Sequence, residues 1–233
     1  MALSLFVAIE GIDGSGKTIQ VKKLVDKLKG YDYNTISIKL PDYDSKSSEL
    51  VKMYLNGYFG TNVQEVNPYI SSIAYIADRI ANFEKWKDQY YYKKNIIISD
   101  RWSWSNLAYQ MAKFKNKEDK EEFIDYNMNL EYGRLGLPQP DMTIFLDMKP
   151  ALADLLIKER CEKKDIHEDN SEYLNKVYKE YKYLAKKFNW EIVKCYKGNE
   201  TRLIEDIHKD IFKKVESLII NVTKLYPYSS YKE

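Results

Sequence analysis

The stretch LFVAIEGIDGSGKT, Leu5 to Thr18, decides the fold. Its apolar start, Leu5–Ile9, reads as a short buried strand. Gly11-Ile12-Asp13-Gly14-Ser15-Gly16-Lys17-Thr18 then satisfies G-x-x-x-x-G-K-[ST] in full. The segment Lys17–Lys29 places Val21, Leu24, Val25 and Leu28 at helical spacing. Strand, glycine-rich turn and helix in this order form a phosphate cradle. Glycines let successive backbone N–H groups turn inward, and the start of the helix adds the positive end of its dipole. In such a loop Lys17 reaches the β- and γ-phosphates, and the Thr18 hydroxyl can ligate Mg²⁺. The motif predicts a nucleoside triphosphate site without saying where the phosphate goes.

Working outward, four more β-branched or alternating runs read as strands: Thr35–Leu40, Asn95–Ser99, Met142–Asp147 and Glu191–Tyr196. Helical patterns fill the gaps at Ser71–Tyr92, Trp104–Lys113, Phe123–Leu135, Ala151–Lys163, Ser171–Phe188 and Glu200–Ile220. Alternation of this kind predicts an α/β fold, a five-stranded parallel sheet with helices on both faces. With neither repeats nor a low-complexity linker, residues 1–222 are expected to form one domain and 223–233 a flexible tail.

Composition narrows the class. The 233 residues are 44% hydrophobic and 31% charged, a globular balance. Lysine plus arginine is 37 against 35 acidic residues, a net +2, which argues against a nucleic-acid coat or a polybasic membrane binder. Cys161 and Cys195 match no metal-ligand or disulfide spacing, so a reducing, cytoplasmic setting is the simplest reading. The longest apolar runs are far too short to span a bilayer.

The remaining chemistry concerns the acceptor. The third strand ends in Asp100-Arg101, at the carboxyl edge of the sheet where α/β proteins bind ligands. An arginine near the phosphate loop suits a second phosphate-bearing substrate. Tyr75 and Arg79 are four residues apart and share a helix face, a plausible stacking and hydrogen-bonding pair for a nucleobase. Taken alone, Asp78-Arg79 would read as a surface ion pair.

Together, FVAIEGIDGSGKTIQ (Phe6–Gln20), LPDYDS (Leu40–Ser45), YIADR (Tyr75–Arg79), DRWSWSNLAYQ (Asp100–Gln110) and LPQPDMTIFLD (Leu137–Asp147) resemble thymidylate kinases. Residues 43–79 resemble the bacterial, Clostridia-like branch. The resemblance implies the fold of P-loop NTP hydrolases with a short mobile lid. It also implies transfer of the γ-phosphate of ATP to dTMP with Mg²⁺, toward dTTP, in a homodimer formed through helices beside the sheet. Residue by residue, Asp13 resembles the carboxylate that holds the sugar 3′-hydroxyl and orders Mg²⁺. Pro41 and Tyr43 resemble contacts to the acceptor phosphate. Tyr75 resembles the ring that stacks on thymine, and Arg79 the side chain that bonds its O4. Arg101 resembles the arginine that bridges toward the phosphates. Ser105 and Asn106 resemble the pair that reads the base edge, with Gln110 nearby. Tyr109 resembles the ring that disfavours a ribose 2′-hydroxyl.

Phosphoryl transfer needs cations around the transferred group. One branch of the family carries an arginine inside the phosphate loop, where this chain has Gly14. The cation is therefore expected from the lid, residues 158–170, with Arg160 first and Lys163 and Lys164 after it. Many relatives have Asp-Arg where this chain has Asp165-Ile166. Two other readings compete: a uridylate or deoxynucleoside kinase of the same fold, and a nucleotide-binding regulatory module without turnover. The combination of Asp13, Arg79, Arg101 and a cationic lid argues against the module. A nucleic-acid-binding role fails on charge balance.

Overall fold

The first strand, β1 (Leu5–Glu10), is buried at all six positions. That continuous burial is what a parallel strand covered on both faces requires. The computed structural model describes residues 4–159 and 171–225. In chain order its elements are β1, α1 (Lys17–Lys29), β2 (Thr35–Lys39), α2 (Glu49–Leu55), α3 (Pro68–Tyr92), β3 (Ile96–Asp100), α4 (Ser103–Met111) and α5 (Lys117–Met128). A π-helical stretch, Asn129–Arg134, extends α5. β4 (Met142–Asp147), α6 (Pro150–Glu159), α7 (Ser171–Lys187), β5 (Glu191–Lys194), the small hairpin β6–β7 (Tyr196–Lys197 and Glu200–Thr201) and α8 (Ile204–Leu225) follow.

The main sheet has the order β2-β3-β1-β4-β5, with every neighbouring pair parallel. Side chains of β1 alternate between two cores. Leu5, Val7 and Ile9 join the larger one, with residues of α1, α4, α7 and α8. Phe6 and Ala8 join the smaller one, with Phe83 and Trp86 of α3 and with Trp102. The chain leaves β1 toward β2 and leaves β3 toward β4, so the carboxyl ends of β1 and β3 flank a crevice. Ile9 pairs with Asp100 across it, which sets the phosphate loop beside Asp100-Arg101.

Several boundaries differ from expectation for physical reasons. The helix expected over 123–135 starts at Lys117, where the Asn116 side chain accepts the Asp119 N–H at 2.8 Å. Its first turns are polar, so apolar spacing could not reveal them. Asn67 caps α3 and Pro68 occupies its first turn, starting that helix three residues before Ser71. Tyr196 leaves the expected fifth strand for the hairpin, and Glu200–Thr201 belongs to β7 instead of opening α8. α8 continues through Leu225, three residues into the stretch expected to be a tail; residues 226–233 lie outside the described residues. α2 had no counterpart in the sequence reading.

Candidate active site

The phosphate loop takes the expected conformation. Gly16 caps α1 at φ +86°, a left-handed position that glycine occupies without strain. Gly14, at φ +76°, is the more constrained: a Cβ there would lie 2.5 Å from the carbonyl oxygen of Ala153 on α6. The position where one branch of similar proteins carries arginine has no room here for any side chain. Lys17 is buried and donates to the Ile12 carbonyl at 2.8 Å. Burial, with Arg101 nearby, lowers its ammonium pKa to about 8, against the opposing pull of Asp13, Asp100 and Glu10. An arriving phosphate would stabilise the charged form. The buried Ser15 hydroxyl has no hydrogen-bond partner.

Thr18 donates its hydroxyl to Asp100 Oδ2 at 2.6 Å. Two hard oxygen donors therefore meet where the phosphate loop faces the end of β3. Among the described residues no cluster of three or more His, Cys, Asp or Glu could hold a metal alone. A hydroxyl beside one carboxylate is the donor set that suits Mg²⁺, which keeps several waters and shares phosphate oxygens. Asp13, expected as a ligand, has one carboxylate oxygen bonded by Arg101 and the other by the Tyr109 hydroxyl. From sequence, Asp100 is read only as the end of the third strand and carries no metal role; its signal is a lone acid ending a strand next to β1.

Arg101 adopts φ +71°, uncommon for a residue with a side chain. Its N–H donates to the Ile9 carbonyl at 3.0 Å, and the Ser99 hydroxyl bonds its carbonyl. This turn sends the guanidinium back over the phosphate loop. Nη1 donates to the Gly11 carbonyl at 3.1 Å, Ser105 Oγ at 2.9 Å and the Tyr181 hydroxyl at 3.3 Å, while Nη2 pairs with Asp13. Burial, the largest single influence, would lower its pKa, but Asp13 together with Tyr181, Tyr109 and Asp100 raises it well above the usual arginine value and holds Arg101 firmly charged. Glu10, fully buried, accepts the Trp102 N–H at 2.8 Å and the Ser105 hydroxyl. Burial pushes its pKa up. These bonds give it a structural role joining β1 to α4.

A cavity of about 280 Å³ adjoins this network. Its wall is formed by Asp13, Gly14, Gly16, Lys17 and Thr18 of the phosphate loop, Pro41 and Tyr43 of the loop after β2, Tyr75 of α3, Arg101, and Ser105, Asn106 and Tyr109 of α4. Lys39, Leu40, Leu55 and Asp100 also line it and carry no site role in the sequence analysis. A smaller recess of about 30 Å³ is lined by Tyr75, Arg79 and Asn106 among others. Asn106 donates its amide to Ser72 Oγ at 2.7 Å, which leaves its buried carbonyl oxygen without a partner.

Three expected residues sit differently from a simple base-reading picture. Arg79 is 2% exposed and forms two bonds with Glu131, at 2.6 and 2.9 Å, from the π-helical stretch. Asp78 is not its partner: that carboxylate accepts the Asp42 N–H at 3.0 Å and the Ser47 hydroxyl at 2.6 Å, and so holds the loop after β2. The Ser105 hydroxyl is occupied by Glu10 and Arg101. Gln110 is fully buried, with both amide atoms unpartnered, and does not line the cavity. Arg160, Lys163 and Lys164 lie outside the described residues.

A phosphate loop at the carboxyl edge of a parallel sheet, open to a second polar and aromatic chamber, defines a nucleotide-dependent phosphotransferase of the P-loop class. A sequence profile of the thymidylate kinase family matches residues 9–211. A thymidylate kinase of Schizosaccharomyces pombe is 28% identical over 225 residues, covering 93% of this chain and 94% of that one. One of an Exiguobacterium species is 25% identical over 202 residues, covering 87% and 91%. The solved structure of a thymidylate kinase from Candida albicans superposes with a TM-score of 0.68 at 23% identity, covering 96% of this chain and 94% of that one, a likeness of fold. The chain belongs to the thymidylate kinase family.

Proposed function

We propose that this chain transfers the γ-phosphate of ATP to dTMP, releasing dTDP and ADP. The observation that carries the reading is the single cavity joining the phosphate loop to Tyr75 and Asn106. One end suits a triphosphate and the other a flat base with an edge to read. An acceptor phosphate oxygen attacks the γ-phosphorus while the bond to the β–γ bridging oxygen breaks. The acceptor phosphate is already ionised, so no strong general base is required.

Lys17 and the backbone of Gly11–Thr18 hold the donor phosphates. Arg101 bridges donor and acceptor groups, and Asp13, fixed by Arg101 and Tyr109, orients the acceptor sugar. Pro41 and Tyr43 border the acceptor phosphate. Tyr75 stacks on the base, and the unpartnered oxygen of Asn106 meets its N–H edge. Arg79 bonds the thymine O4 and supports the recess through Glu131. Tyr109 crowds a ribose 2′-hydroxyl. Mg²⁺ would be held by Thr18 and Asp100 and would neutralise charge on the donor phosphates. Gly14 puts no arginine at its position in the loop, so Lys17 is the loop's cation, which supports Arg160, with Lys163 and Lys164, as the further source of positive charge for the γ-phosphate.

A homodimer through α3 is part of the proposal. Ile70, Ile73 and Ile80 lie exposed at helical spacing along that helix, an apolar stripe suited to a second copy. A cytoplasmic setting fits Cys195, a buried free thiol. Steady-state ADP release with Mg·ATP tests the reading against dTMP, dUMP, UMP, CMP, AMP, thymidine and no acceptor. Preference for dTMP is the expected result. Turnover of thymidine but not dTMP would overturn the acceptor-phosphate roles, and nucleotide binding without turnover would favour a regulatory module.

A further inference from the structure

The geometry points to Tyr181, on α7, as a positioning residue that fixes the Arg101 guanidinium for phosphoryl transfer; the inference rests on the role proposed above for Arg101. Tyr181 is wholly buried. Its ring lies parallel to Phe145 of β4, with centroids 5.4 Å apart and planes at 6°, and meets Tyr109 edge-on at 6.3 Å. Held on two sides, the ring leaves its hydroxyl one place to go. That place is beside Arg101 Nη1, at 3.3 Å, Ser105 Oγ, at 2.8 Å, and, more distantly, Glu10 Oε2, at 3.4 Å.

Counting donors and acceptors assigns the directions. A serine hydroxyl has one proton and two acceptor sites. Ser105 gives its proton to Glu10, so both acceptor sites remain, for Arg101 at 2.9 Å and the Tyr181 proton. Tyr181 in turn offers its lone pairs to Arg101. The chain Tyr181 to Ser105 to Glu10 is thereby polarised in one sense, and every oxygen facing Nη1 presents an acceptor. Nη1 is anchored by the Gly11 carbonyl, Ser105 and Tyr181, and Nη2 faces Asp13. Positioned donors matter most where charge develops in a transition state. Removing the Tyr181 hydroxyl would let Ser105 rotate and free the guanidinium to tilt, without touching either substrate.

A core tyrosine with a purely structural role would cost stability alone, so the test uses kinetics. In Tyr181→Phe the ring and its stacking survive. The expected result is a fall in kcat of about tenfold with KM for ATP and dTMP within about twofold, the signature of an interaction made only in the transition state. In an Arg101→Met background the same substitution should change the residual kcat no further. An equal loss in both backgrounds, or an unchanged kcat in Tyr181→Phe, overturns the inference. Ser105→Ala supplies a second arm should Tyr181→Phe fold poorly. It should lose kcat to a similar extent, and a kcat as high as the unaltered protein's would also overturn the inference. If Arg101→Met alone leaves kcat intact, the Arg101 reading falls and takes this inference with it. If Arg101→Met is severely impaired while Tyr181→Phe is not, only the Tyr181 inference falls.

Discussion

Arg79 and Glu131 face one another from α3 and the π-helical stretch after α5, joined by two hydrogen bonds at 2.6 and 2.9 Å, with both side chains at most 2% exposed. A fork-to-carboxylate pair enclosed to this degree ties two helices together behind the recess where a base would sit. Arg79 therefore carries structure as well as any contact to a substrate.

Replacing one partner strands the other. Arg79→Ala leaves the Glu131 carboxylate buried without its counter-charge, at a cost of about 3–5 kcal/mol. Urea denaturation of the variant should show this loss, and Arg79→Lys should recover only part of it because an ammonium cannot form both bonds. Unaltered stability in Arg79→Ala would refute the structural role, and any rise in the KM for dTMP could then be read directly as lost base recognition.

The 2.6 Å bond from Thr18 to Asp100 predicts a magnesium phenotype. Asp100→Asn keeps the shape and removes the charge. The Mg²⁺ concentration giving half-maximal ADP release should rise at least about tenfold, with kcat reduced when the metal is limiting. A Mg²⁺ titration superimposable on that of the unaltered protein would exclude Asp100 from metal binding.

Gly14 marks where charge cannot be added. Gly14→Arg would install the arginine that one branch of similar kinases uses, but its Cβ would meet the Ala153 carbonyl at 2.5 Å at a φ of +76°. Displacing α6 to make room should reduce kcat/KM by at least about tenfold, which corresponds to roughly 1.4 kcal/mol of transition-state stabilisation. An active or improved Gly14→Arg would show that the loop and α6 separate easily.

Lys113 should leave a mark on the pH dependence of folding. Its ammonium donates to the Val66 carbonyl at 3.1 Å and Ser71 Oγ at 3.0 Å and lies 4.9 Å from the centre of the Tyr54 ring. Burial pulls its pKa from 10.5 to about 7. Between these values the unfolded chain holds the proton and the folded chain does not, so stability rises with pH across that window. The slope is at most about 1.4 kcal/mol per pH unit. Below pH 7 the lysine is charged in both states and the burial cost is fully present. Relative to Lys113→Met, the unaltered protein should gain stability steadily from pH 7 to pH 9.5; parallel denaturation profiles would contradict the shift.

Sequence carried the fold and one half of the site because both are local. A strand, a glycine-rich turn and a helix specify their own phosphate cradle, and period and burial named the five strands of the sheet. Residues whose positions follow from a short element, such as Lys17, Thr18 and Arg101, could be singled out directly. Boundaries slipped where the signal was polar capping rather than apolar spacing, as at Asn116 and Asn67.

Tertiary structure decided the partners. Asp100 meets Thr18 because β3 pairs with β1, 82 residues away in sequence. Arg79 chose Glu131, 52 residues on, over its neighbour Asp78, which turned to the loop after β2. Tyr181 reached Arg101 across 80 residues because α7 packs over α4. Periodicity shows which face of an element is buried. It carries no information about which buried polar group meets which, because hydrogen bonds and ion pairs depend on distances of a few tenths of an ångström fixed only when the layers pack.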